Sequence, residues 1–446
     1  MHDLTQMRID AGEIFAAALR AIDARAAVQL AMTADGERLT ICGREIVLAG
    51  RKIYSIAVGK AALPMAMAFE EVIGERFAGG LIAGPIARQP CVPEIVTSLR
   101  TLSTRWRWIE GGHPLPTRSS LLAAGEAFKL LERANDGRAL VVFLISGGGS
   151  AMIEWPINNE ISLANLRLAN KVLVACGASI SEINSVRRAF SAIKGGRLAA
   201  RAPHCDQITL IISDVPKDEE FNVASGPTIR PDPNAAGARE VIDRYQLRSQ
   251  LPAPILHAID SSPEFLTDSH LQRDHFVLLS NVDAVRSAAD AARQRGYLVD
   301  IASDISDQPI GDGCAELANR IHSRQRENAP VCLISGGEFA CPVKGEGTGG
   351  RNLESALRLA MLMSEANRAD PFVALCAGTD GIDGNSPAAG AIVDSATLER
   401  ARTVGLSAES SLARSDCYSF FAALDDAIIT GPTGTNVRDL RILLAI

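Results

Sequence analysis

Leu140-Val141-Val142-Phe143-Leu144-Ile145-Ser146-Gly147-Gly148-Gly149-Ser150 joins an unbroken apolar run to a turn of glycine and serine. A short continuous apolar run closed by turn residues reads as a strand buried on both faces, the kind found in parallel sheets. The glycines that follow let the backbone adopt positive φ and aim its N–H groups at an anion, and the missing side chains let phosphate come close. A plain flexible turn between strand and helix is the other reading of the same residues.

Outward from this stretch the pattern repeats. Ile53–Val58 is a second buried-type strand that stops at Gly59-Lys60, followed by a helix pattern through Met65, Met67 and Phe69. Ile208–Ile212 is a third, ending in Ser213-Asp214-Val215-Pro216. A helical region runs from about Leu163 to Ala200, interrupted near Gly177-Ala178-Ser179. In the second half, Phe276–Leu279, Val331–Ile334 and Phe372–Cys376 repeat the grammar. Alternating strand and helix predicts an α/β fold with mainly parallel sheets in two lobes. The loop Ser225-Gly226-Pro227-Thr228-Ile229-Arg230-Pro231-Asp232-Pro233 places the expected boundary near residue 236, giving an N-terminal lobe of 1–236 and a C-terminal lobe of 237–446.

Length and composition agree with that plan. The 446 residues, 47% hydrophobic and 22% charged, suit two or three globular domains. Aromatics are only 4%, so the core is built from Ala, Val, Leu and Ile, which fits helix-flanked sheets better than a β-sandwich. The formal charge of −7 is spread without a basic tail, which argues against nucleic acid as a partner. Nine scattered cysteines with no CxxC fit a reducing cytosol, hence a cytoplasmic protein, and argue against a zinc ribbon or disulfide framework. The opening segment is no secretory signal, and runs such as Ala139–Ile145 fall far short of the ~20 residues of a membrane helix.

Every polar, glycine-rich cluster falls at a strand end, where open α/β sheets bind ligands. Lys60 stands at a helix start, able to grip a phosphate or carboxylate, or simply solvated. Asp214 offers a carboxylate to Mg²⁺ or to a hydroxyl proton, and an Asx turn is the bland alternative. Lys344-Gly345-Glu346-Gly347-Thr348-Gly349-Gly350-Arg351-Asn352 sets four glycines, a cation and an amide before a helix. It is no Walker motif. Its GxGxxG spacing lacks a proper preceding strand, since Pro342 stands there, so a dinucleotide site is rejected. Arg351 beside a phosphoryl group is the better reading, because arginine makes paired bonds to phosphoryl oxygens. Asp380 and Asp383 add carboxylates in a glycine-rich loop, and His113 sits in the rigid turn Gly111–Thr117. Ser191-Ala192-Ile193-Lys194 matches SxxK by chance inside a predicted helix, whereas Lys194-Gly195-Gly196-Arg197 places cations at a helix stop.

Eight of these motifs stand in one order: Val58–Ala61, Gly112–Pro116, Ser146–Ala151, Ile193–Leu198, Ile212–Val215, Ala224–Thr228, Gly345–Asn352 and Gly378–Gly384. The series resembles the class II glycerate kinases, which end in a MOFRL-type domain, here about residues 330–440. The resemblance implies a Rossmann-like N-terminal lobe, a smaller C-terminal α/β lobe and an active site in the cleft between them. It implies transfer of the γ-phosphoryl of ATP, with Mg²⁺, to the 2-hydroxyl of D-glycerate. By motif, it implies Lys60, Asp214 and Arg351 as the catalytic residues. It also implies that Ser146, Gly147, Gly148, Gly149, Ser150, His113, Lys194, Gly349, Gly350 and Asn352 line the substrate and phosphate sites, with Asp214 and Asp380 as the metal carboxylates. A homodimer is the assembly the family leaves open, with small molecules as the only other partners. Some relatives are labelled hydroxypyruvate reductases, an NAD(P)H-dependent activity that is the alternative reading.

Overall fold

The computed structural model describes residues 3–85, 102–232, 234–261, 273–324, 329–365 and 371–446. The chain divides into two compact units, the first holding residues 24–85 and 102–278 and the second residues 3–23 and 279–446.

The first unit opens with an antiparallel meander of β1 (Met32–Asp35), β2 (Arg38–Ile41) and β3 (Arg44–Val47). Its main sheet contains β4 (Ile53–Val58), β5 (Phe77–Gly84), β6 (Trp106–Glu110), β7 (Leu140–Ser146), β8 (Asp206–Ile212) and β9 (Arg273–Leu279), in the order β6-β5-β4-β7-β8-β9. From β6 to β8 every pairing is parallel. The chain moves outward from β4 through β5 to β6, then returns to the other side of β4 with β7. That reversal makes a topological switch point between β4 and β7, the place where open α/β sheets bind ligands. β7 is bonded on both edges and buried at every residue, which explains its continuous apolar sequence. The helix Arg118–Asp136 closes one face by setting Ala123, Ala127 and Leu131 into the cluster that contains Val141, Phe143 and Ile145.

Residues beyond 236 stay with this unit. Val241, Ile242 and Ile255 join Leu166, Leu173 and Phe190 in one apolar cluster, and Phe276–Leu279 lies within the edge strand β9. The division expected near residue 236 therefore falls at 278/279, because the Pro-rich loop interrupts the pattern without interrupting the packing. The helical region also differs: helices span Leu163–Ala175 and Ile180–Ala189, and Ser191–Lys194 lies outside any helix. Gly195 and Gly196, both at positive φ, turn the chain there.

The second unit holds β10 (Leu298–Ile301), β11 (Val331–Gly337), β12 (Phe372–Gly378), β13 (Gly390–Asp394), β14 (Ala427–Ile428) and β15 (Asp439–Ala445), ordered β10-β11-β15-β12-β13-β14. Only β10–β11 is parallel, so the expectation of a mainly parallel second sheet is corrected. The cause is β15, which inserts between β11 and β12 antiparallel to both. Asp439 and Arg441 hide this strand by breaking its apolar run. Arg441 is buried by donating to Ser335 Oγ (3.0 Å) and to the carbonyls of Gly336 and Gly337 (2.8 Å each), with its guanidinium 3.6 Å from the Phe339 ring centre. The helix Leu4–Ala21 packs in this unit on the helix Asn281–Gln294, where Tyr297 donates to buried Asp10 (2.8 Å). The eight described cysteines are free, and Cys91 lies outside the described residues. Among the described residues no helix is long and apolar enough to cross a membrane.

Candidate active site

The sequence-predicted residues fall into two constellations, one in each unit. In the first unit, β4 and β7 end side by side and their turns lock together. Lys60 N–H donates to Gly147 O (2.9 Å), Ala61 N–H to Ser146 Oγ (3.0 Å) and Gly59 N–H to Ala83 O (3.1 Å). Gly59 has φ +116, and a Cβ there would collide with the carbonyl of Ser146, so only glycine permits this approach. Gly148 is left-handed (φ 80, ψ −11) and leads into a helical turn, Gly149–Met152, a geometry that gathers N–H groups into an anion-binding concavity. A Cβ on Gly148 would lie 3.2 Å from Lys60 Cγ and 3.4 Å from His113 Cδ2. Lys60, His113 and the Ser146–Ser150 turn thus border one space. Asp214 follows β8, the neighbour of β7, and is half-buried.

Lys194 is placed otherwise than a surface cation at a helix stop. Its ammonium is buried, paired with Glu154 and donating to Ser150 O (2.9 Å), so it braces the glycine turn from behind. Burial pulls its pKa down, and the Glu154 charge opposes that. Glu154 also accepts from Ser191 Oγ (2.5 Å). On the other flank, Ser225 stands at φ +62, uncommon for a non-glycine residue, and its hydroxyl meets that of Ser150 at 2.6 Å. Ser225 donates in turn to Asn184 Oδ1 (2.7 Å), and Arg188 and Asn184 converge on Asn222 Oδ1. Glu154, Asn184 and Asn222 carry no signal in the sequence, because nothing local shows that a polar residue will be buried behind a loop.

In the second unit, the helix Arg351–Glu365 begins at the end of the glycine-rich loop. Asp383 accepts from Asn352 N–H (3.1 Å), Asn352 Nδ2 (3.2 Å) and Leu353 N–H (2.8 Å), which satisfies the exposed donors of that helix start. Gly349 N–H donates to Asn385 Oδ1 (2.8 Å), and Gly350 lies so close to Asp383 that a Cβ would sit 2.5 Å from its Cγ. Arg351 is held by two carboxylates, its Nε by buried Asp439 (2.5 Å) and its Nη2 by half-exposed Glu338 (2.7 Å). Burial works against the Arg351 charge, but Asp439 and Glu338 outweigh it and hold its pKa above the ordinary value. Burial pushes the Asp383 carboxyl up to about 7, against the bonds from Leu353 and Asn352 and with the help of the Asp439 charge. Asp380 Oδ1 and Asp439 Oδ1 both edge the space where a Gly378 side chain would stand, at 3.2 and 3.4 Å from that Cβ position. Among the described residues no group of three or more His, Cys, Asp or Glu could hold a metal alone. Two carboxylate oxygens nonetheless suit Mg²⁺, which keeps waters and takes substrate phosphates for its remaining positions.

A parallel sheet with a glycine turn at its switch point, joined in one chain to an arginine–carboxylate constellation on a mixed sheet, defines a two-unit α/β enzyme of the phosphate-handling kind. Residues 10–260 match the family described as a domain of unknown function, DUF4147, and residues 331–439 match the MOFRL family. The chain belongs to the class II glycerate 2-kinase family. It is 33% identical to the D-glycerate 2-kinase of Thermotoga maritima, over 89% of this chain and 91% of that protein. It is 36% identical to an Agrobacterium vitis protein named for hydroxypyruvate reductase, over 87% of this chain and 98% of that one. The crystal structure of a Thermotoga maritima glycerate kinase matches with a TM-score of 0.77 at 28% identity, covering 99% of this chain and 100% of that one.

Two outcomes follow from the geometry. Lys194→Met removes the cation that is bonded to buried Glu154, and urea denaturation should show a loss of about 3–5 kcal/mol. Adding Glu154→Gln, which keeps an acceptor for Ser191, should recover most of that loss. Asp383 binds its proton more tightly folded than unfolded, so its contribution to stability is complete below about pH 4 and lost as pH rises through about 7. Asp383→Asn keeps one of the two acceptor oxygens, that facing the Asn352 donors, and removes the titration. The fall in Tm between about pH 5 and pH 8 should be shallower in that variant than in the parent.

Proposed function

We propose that the protein is an ATP-dependent glycerate 2-kinase that moves the γ-phosphoryl of ATP to the 2-hydroxyl of D-glycerate. The observation that carries this reading is the space bordered by Lys60, His113 and the left-handed turn at Gly148, built at the switch point of the sheet. It offers an anion a cation, an imidazole and gathered N–H groups. The names of the relatives supply the substrates.

In this reading Lys60 and the Ser146–Ser150 turn hold an anionic group, phosphate or carboxylate. Asp214 takes the proton of the 2-hydroxyl as its oxygen bonds to the γ-phosphorus and the bond from that phosphorus to the bridging oxygen breaks. Arg351 neutralises charge on the transferring phosphoryl oxygens. Buried Asp439 keeps the guanidinium in place, while half-exposed Glu338 is the partner that phosphate displaces. Asp380 and Asp439, or Asp214, would hold Mg²⁺, whose chemistry is to offset the charge of the nucleotide phosphates. For the reductase named among the relatives, β4 would be expected to lead into a run of spaced glycines. It leads instead into Gly59-Lys60-Ala61, with the Lys60 side chain beside Gly148.

Purified protein given D-glycerate and MgATP should form ADP and 2-phosphoglycerate, identified by the position of the phosphorus resonance. A folded protein that instead oxidises NADH on addition of hydroxypyruvate, without forming ADP from glycerate, would establish the reductase. Arg351→Ala should lower kcat by at least ~10³, the scale of an arginine that stabilises a transferring phosphoryl group. An unchanged kcat removes Arg351 from the transition state.

A further inference from the structure

A cavity of about 290 Å³ opens at the β8–β9 edge of the first unit's main sheet. It is lined by Thr209 of β8, by Thr228 and Arg230 of the loop that follows, and by Arg273, Asp274 and His275 of β9. None of these residues belongs to the constellations described above.

The charges in this cavity are out of balance. Asp274, the one carboxylate in the lining, is taken by Arg44. Among the described residues neither the Arg230 nor the Arg273 side chain makes a hydrogen bond or an ion pair, and Arg273 Nε is buried without a partner. The two guanidinium groups stand close enough for the charge of Arg230 to disfavour that of Arg273, on top of the cost of burial. Proteins rarely leave a buried donor unpaired, and leaving two like charges facing one concavity adds to that cost. Thr209 donates to Thr228 (3.0 Å), so the floor is a pair of hydroxyls that can turn toward a bound oxygen. In a chain of net charge −7 this is a local excess of positive charge, in a hollow large enough for about ten waters.

We infer that this cavity binds a phosphate dianion, either inorganic phosphate or the phosphoryl end of a small phosphomonoester, between Arg230 and Arg273. Planar guanidinium groups pair with phosphate oxygens two bonds at a time, and two arginines offset a dianion. The site is tied to the glycine turn through the backbone. Arg230 closes the segment that begins at Ser225, where the hydroxyl meets Ser150, and Gly196 N–H donates to Gly226 O (2.7 Å) along the way. A ligand on Arg230 therefore braces the strut that supports the turn.

Isothermal titration of the full chain at low ionic strength tests this, with inorganic phosphate and glycerol 2-phosphate as probes. Arg230→Gln and Arg273→Gln should each raise the Kd for phosphate about tenfold, the loss of a paired charge-assisted contact. Lys60→Ala, which alters the other anion site, should leave this Kd within about twofold. Arg273→Lys keeps the charge and should bind more tightly than Arg273→Gln, which separates loss of charge from loss of fold. Tighter binding of glycerol 2-phosphate than of phosphate marks a phosphomonoester as the ligand, and the reverse marks inorganic phosphate. The inference is overturned if the parent protein binds neither probe, or if Lys60→Ala abolishes binding that both glutamine variants retain.

Discussion

β7 is bonded on both edges and covered on both faces, so only its ends are open to chemistry. That constraint organises the first unit. A strand of this kind needs an unbroken apolar sequence, and the sequence has to change character abruptly where the strand stops. It does so at Ser146, and the glycines that follow let two strand ends lock together at Lys60 and Gly147. Neither turn keeps its shape alone. Ser146 Oγ receives the Ala61 N–H, the Lys60 N–H reaches Gly147, and Lys194 holds the Ser150 carbonyl from beneath. The site is rigid because its supports are buried and paired.

The second unit solves a different problem. Arg351 is paired on two sides, with Asp439 and with Glu338. Its two carboxylates differ in the respect that matters, because Asp439 is buried and Glu338 is half-exposed. A buried charge pair separates only at a cost of several kcal/mol, whereas a half-exposed one exchanges easily with an incoming anion. Asp383 ties the start of the helix to the loop of Asp380, so the helix end and that loop are held together.

Much of this is legible in the sequence itself. The β7 run, the strand ends and the glycine clusters follow from periodicity, and their order on the chain carried the family resemblance. What escaped is what depends on distant partners. β15 is a strand because Arg441 finds carbonyls and the Phe339 ring to receive it, and no local pattern announces that. Lys194 reads as a helix-end cation until Glu154 is seen opposite it. Residues 237–278 read as the start of a new lobe because the Pro-rich loop is a local signal, whereas their packing on Leu166 and Phe190 is not. Arg230 and Arg273 stand 43 positions apart, and nothing between them suggests that they share a hollow.

The helix Leu4–Ala21 has one more consequence, for synthesis on the ribosome. It belongs to the unit that otherwise begins at residue 279, so its partner helix, Asn281–Gln294, is made some 260 residues later. At translation rates of roughly 5–20 residues per second, its apolar face waits on the order of tens of seconds for a surface to cover it. The central strand of the second sheet, β15, is later still. The first unit can therefore fold in the tunnel's wake while the second stays open until β15 emerges. Leu4–Ala21 and Asp439–Ala445, at opposite ends of this span of sequence, are packed in the same unit.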